Sequence, residues 1–193
     1  MTRRRPGHDE GYSLVEVLVA MMVMGIFLAM LTTGLIQVFR VVNRNDAFSI
    51  VQAQVNVAFL KLDRDIRYAS NVSTPGQTGA DWYVEYLTTY TGTSICTELR
   101  LQASTGQLQR RTWTQGGTVS GGWSILATGL TPAAPFTYLA ADSTYNYPRV
   151  QLNLVASAGT GATAATKQFN VTFTAMNTTS TSATVCTEGR TSP

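Results

Sequence analysis

The stretch Gly11-Tyr12-Ser13-Leu14-Val15-Glu16-Val17-Leu18-Val19-Ala20-Met21-Met22-Val23-Met24-Gly25-Ile26 holds a single charged side chain, Glu16. No further charge appears from Val17 to Phe39. About 20 apolar residues suffice for a helix to cross a bilayer, and this run is long enough. A carboxylate placed in such a segment costs at least ~2.5 kcal/mol on insertion scales, so it needs a function and a partner. Gly11 precedes the apolar run, five residues before that carboxylate.

The flanks orient the segment. Arg3, Arg4 and Arg5 stand before it, which keeps the N-terminus in the cytoplasm and sends the remainder outward. A secretory signal would close a shorter apolar core with small residues. Here the run is far longer, and no Ala-x-Ala site ends it. Cutting after Gly11 would instead leave the apolar helix on the mature chain. An uncleaved anchor is the alternative. The 193 residues suffice for one domain and an anchor, and a net charge of +3 gives weak support for a nucleic-acid partner.

These residues resemble a known family. Gly11-Tyr12-Ser13-Leu14-Val15-Glu16-Val17-Leu18-Val19-Ala20-Met21 is similar to the prepilin cleavage and methylation motif of type IV pilins and type II secretion pseudopilins. The resemblance is strongest over residues 7–40. It implies that a prepilin peptidase cuts between Gly11 and Tyr12 and methylates the new amine of Tyr12. It further implies that Glu16 is the assembly residue, and that the partners are other pilins or pseudopilins, a membrane assembly platform and, before assembly, the lipid bilayer. The expected division is a leader over 1–11, a membrane or filament-core helix over 12–40, its amphipathic continuation over 41–70 and a β-rich domain over 71–193.

Past the apolar segment, Val51, Val55, Ala58, Leu62, Ile66 and Ala69 recur at steps of three and four. That spacing draws one apolar stripe along a helix. Asp63 and Arg67, four apart, can pair on its wet side. Ser70-Asn71 and Pro75-Gly76 end the pattern. A continuous helix from Tyr12 to Ala69 would be about 87 Å long at 1.5 Å per residue. Gly25 and Thr32-Thr33-Gly34 are places where it could bend.

Residues 71–193 carry 26 threonines and 11 charged residues, with alternating runs between Gly, Ser and Pro clusters. Trp82–Leu87, Cys96–Gln102, Gln107–Trp113, Val150–Val155 and Phe169–Thr174 read as strands, and Ser104-Thr105-Gly106 as a turn. The expected fold is α+β: a long N-terminal helix laid on a small antiparallel sheet with one buried face. The Thr- and Ser-rich tail after Met176 reads as irregular.

Cys96 and Cys186 are the only cysteines, and both fall on the outer side of the membrane, where disulfides persist. An internal bridge is expected; free thiols or pairing with another chain are the alternatives. His8 is the only histidine and would leave with the leader, which removes a Ser-His-Asp triad and a histidine-rich zinc site. No nucleophile elbow or phosphate loop is present. Asp63 and Asp65 point to different helix faces, and Asp81, Glu85, Glu98, Asp142 and Glu188 are scattered. No catalytic residue, cofactor site or metal site is expected. Arg100, Arg110 and Arg111 near Trp113, and Tyr138, Tyr145 and Tyr147 near Arg149, could hold single-stranded nucleic acid, although an ordinary sheet surface explains them as well. Met21, Met22, Met24 and Met30 read as adaptable packing groups.

Phe59-Leu60-Lys61-Leu62-Asp63-Arg64-Asp65-Ile66-Arg67 resembles the helix end of minor pilins and of J-type minor pseudopilins. The expectation is therefore a non-enzymatic minor subunit that primes or caps a filament. A nucleic-acid-binding competence pilin and a membrane-anchored extracytoplasmic enzyme are the rival readings.

Overall fold

The computed structural model of the chain describes residues 13–89, 92–119, 121–158, 165–179 and 183–191. The cleavage site Gly11-Tyr12 and the Gly159–Gly161 connection lie outside them. Two compact units divide the chain, Met1–Asn43 and Arg44–Pro193. One helix, α1 (Leu14–Arg67), contributes to both.

In the first unit every described side chain of α1 is exposed, including Leu18, Met22, Phe27, Leu31 and Phe39. Among the described residues this is the one helix long and apolar enough to cross a membrane. Two of its hydroxyls bond within the helix: Thr32 Oγ1 donates to the Leu28 carbonyl at 2.7 Å and Thr33 Oγ1 to the Ala29 carbonyl at 2.8 Å. Such i−4 bonds satisfy hydroxyls within the helix itself.

In the second unit the helical stripe does what its spacing predicts. Val51, Val55, Ala58, Leu62 and Ile66 are buried, while Val57 and Leu60, between them in sequence, stay exposed. Fully burying one such aliphatic side chain stabilises by roughly 1.5–3 kcal/mol. Arg67 donates to Asp63 at 2.6 Å on the open side, an exposed pair that contributes only a few tenths of a kcal/mol.

The helix ends at Arg67, and the chain turns almost at once into β1 (Ala69–Val72). Ser70 and Asn71 read as helix terminators, yet both are buried in this strand. Their side chains find partners there: Ser70 Oγ donates to the Leu87 carbonyl and Asn71 Oδ1 accepts from the Val72 amide. Short polar side chains resemble a loop when the partner strand is distant in sequence.

Eight more strands follow: β2 (Gly76–Thr78), β3 (Asp81–Thr88), β4 (Ile95–Gln102), β5 (Gln107–Thr114), β6 (Ser124–Ala127), β7 (Phe136–Leu139), β8 (Arg149–Ala158) and β9 (Ala165–Thr174). They form two antiparallel sheets. The first runs β1-β3-β4-β5-β6, with β2 beside β1 along the same edge of β3. The second is the meander β7-β8-β9. Gly106 closes the β4–β5 turn at φ 61°, and any Cβ there would run into the Leu130 carbonyl, so glycine is required.

The fold is α+β, a long helix against antiparallel sheet. One core gathers Val55, Leu62 and Ile66 from α1, Leu99 and Leu108 from the first sheet, and Leu152, Leu154 and Phe173 from the second. The expected single solvated face is absent from the middle of the first sheet. Tyr83, Val84, Glu85, Tyr86 and Leu87 are all buried in succession along β3. A second, smaller cluster explains this: Leu87, Cys96 and Trp113 lie under Val185 and Cys186 of the C-terminal segment.

Candidate functional site

Glu16 lies in the first turn of α1, where a negative charge is favoured by the helix dipole. Val15, Val19, Ala20, Val23, Met24 and Phe27 surround it on an exposed apolar surface. Among the described residues Glu16 has no ion pair. An acid in this setting is an incomplete electrostatic site: it attracts a cation brought by another molecule, most strongly once water is excluded. The Met21, Met22, Met24 and Met30 side chains are exposed on the same helix.

The described carboxylates of the sheet domain are less scattered than their sequence positions suggest. Pairing registers place Glu85 opposite Glu98 and Glu98 opposite Arg111, a row across β3, β4 and β5 on the face away from α1. The 3-10 turn Thr187–Thr191 covers that row. Arg111 Nε donates to Glu98 Oε2 at 2.6 Å and its Nη2 donates to the Gly189 carbonyl. Arg190 reaches Glu85 with two bonds, Nε to Oε1 at 2.7 Å and Nη2 to Oε2 at 2.5 Å. Trp113 Nε1 donates to Glu188 Oε1 at 3.1 Å. Cys96 and Cys186 are joined beside this row, with Cα atoms 5.6 Å apart.

Burial raises the Glu98 carboxyl to about 7 against the pull of Arg111, and Glu85 adds to the rise as a like charge. Burial also raises Glu85, opposed by its bonds to Arg190 and Ser73. The Arg190 guanidinium is raised in turn by Glu85. Two acids and two arginines thus form a largely buried network of opposite charges, in which Glu98 Oε1 has no hydrogen-bond partner among the described residues.

The first arginine–aromatic group is engaged inside the fold, whereas Tyr145 and Tyr147 of the second stay exposed. Arg111 is 2% exposed. Arg110 pairs with Asp65 of α1 at 3.2 Å, so Asp65 ties the helix to β5. Arg100 bonds Gln109 and stacks on Trp123 at 3.9 Å. Arg149 stacks on Tyr145 at 3.5 Å and pairs with Asp142. Tyr138 packs against the main core. Ser73, Gly189 and Arg190 were invisible as site residues in sequence. One clue was present: the 103–106 turn sets Gln102 opposite Gln107, which fixes Glu98 opposite Arg111. No group of three or more His, Cys, Asp or Glu side chains able to hold a metal occurs among the described residues.

Residues 8–32 match the family model described as the prokaryotic N-terminal methylation motif. Residues 8–32, which hold Glu16 and the start of the apolar run, thus carry the type IV pilin and pseudopilin signature. The match covers the N-terminal segment alone. No curated protein and no solved structure matches the chain significantly.

Proposed function

We propose that the chain is a minor pilin or minor pseudopilin that primes or caps a type IV pilus-like filament. Prepilin peptidase cuts the 1–11 leader after Gly11 and methylates Tyr12. The 12–40 segment first anchors the subunit in the cytoplasmic membrane, N-terminus inside, with the β-rich 71–193 region outside. On assembly the Glu16 carboxylate pairs with the Tyr12-type amine of a neighbouring subunit. Because each unpaired charge is costly in an apolar medium, the pairing selects one axial register. The 41–70 stretch joins the filament-core helix to the globular domain.

The observation that supports this reading is Glu16 itself: a carboxylate without an ion pair among the described residues, on a helix whose surrounding surface is apolar and exposed, inside the matched motif. Such a surface calls for lipid or neighbouring helices. Mass spectrometry of the membrane-extracted chain, made in a host with the peptidase, tests it. The expected N-terminus is methylated Tyr12; a chain still beginning at Met1 overturns the assignment.

A further inference from the structure

The C-terminal segment is held in a manner that a disulfide alone does not require. Three consecutive residues each meet a distinct receptor on the outer face of the first sheet. Glu188 accepts from the Trp113 indole. Gly189 lies so close that a Cβ would sit 2.6 Å from the Trp113 ring and 2.8 Å from Glu98 Oε2, while its carbonyl accepts from Arg111. Arg190 enters a guanidinium pocket: the forked pair with Glu85, with Nη2 also reaching the Ser73 hydroxyl at 3.3 Å and the Thr74 carbonyl at 2.6 Å. Gly76 lines this pocket, and a side chain there would collide with the guanidinium.

We infer that this face is a sequence-specific recognition site for a Glu-Gly-Arg peptide, occupied by the chain's own Glu188-Gly189-Arg190. The planar fork of arginine matches a carboxylate in a way that lysine cannot. Glycine is selected by lack of space, and the acid by the indole donor. Docking is therefore a non-covalent act of recognition, and the Cys96–Cys186 bridge adds a tether to a segment already seated. The site does not depend on how the N-terminal helix is processed or assembled.

The test is hydrogen exchange on the detergent-solubilised full chain, read over residues 184–191, with amides of 51–66 as the control for folding. In the disulfide-intact chain, Gly189→Ala and Arg190→Lys should each speed exchange of the tail roughly tenfold or more, about 1.4 kcal/mol, whereas Thr191→Ser, which keeps the hydroxyl that donates to the Glu188 carbonyl, should leave it unchanged. In the Cys96→Ser/Cys186→Ser chain the tail should keep most of its protection. Equal behaviour of all three tail variants in the disulfide-intact chain overturns the proposal. So does loss of tail protection in the double-serine chain while 51–66 stays protected. If the double-serine chain loses the 51–66 protection as well, the disulfide-intact series decides alone.

Discussion

Glu98 and Arg111 face each other across β4 and β5 at 2.6 Å, with side chains 0% and 1% exposed. Neither can be removed singly without leaving the other in a medium that solvates charge poorly. Arg111→Ala should therefore cost about 3–5 kcal/mol of stability. Glu98→Gln should cost clearly less, because near pH 7 about half the molecules already carry this carboxyl neutral and the amide keeps an oxygen that accepts from Arg111. Denaturant unfolding of the solubilised chain, with both variants side by side, would show the order; equal losses would count against the buried network.

The same pair sets a pH dependence. Folding lifts Glu98 from 4.5 to about 7, so the folded chain retains a proton that the unfolded chain has released. The contribution is fully present below about pH 4.5 and is lost as pH rises through about 7. Glu85 is shifted in the same direction. Unfolding temperature should fall between pH 5 and pH 8, and Glu98→Gln should flatten that slope. An unchanged slope in the variant would assign the titration elsewhere.

Two leucines two residues apart in α1 test which face of the helix meets the sheets. Leu62 is fully buried and Leu60 is 77% exposed. Leu62→Ala should cost about 2–5 kcal/mol, and Leu60→Ala about 0.5 kcal/mol or less. Comparable losses would mean that the packing stripe is misassigned.

Reduction probes the tether directly. Cys96 and Cys186 are 90 residues apart, a loop whose closure is worth up to about 4–5 kcal/mol on chain-entropy grounds. Melting with and without a thiol reductant should show a large drop. A melting point insensitive to reductant would mean that the bridge constrains little.

Glu16→Ala should spare membrane insertion and leader cleavage but impair incorporation into filaments, as judged by fractionating sheared filaments from membranes. Normal incorporation would show that Glu16 is not the register charge.

Periodicity made the long helix and five of the strands legible, because a stripe at steps of three and four or a clean alternation is a local signal. Phe169–Thr174 and Trp82–Leu87 were visible for that reason. β1 was not: Ser70 and Asn71 are polar, and it is pairing with β3, with the Leu87 carbonyl 17 residues away accepting from Ser70, that makes a strand the better place for them. The C-terminal latch was hidden for the same cause. Arg190 finds Glu85 across 105 residues, and no local pattern announces such a meeting. Glu16 was legible because a lone acid in an apolar run contradicts its surroundings within a single helical turn.

Thr32 and Thr33 give their hydroxyl protons to carbonyls of their own helix. They consequently ask nothing of whatever surrounds them. Hydrocarbon and a crowd of like helices are therefore equivalent surroundings for these two alcohols, and Glu16 is left as the one charge on the apolar segment whose setting matters.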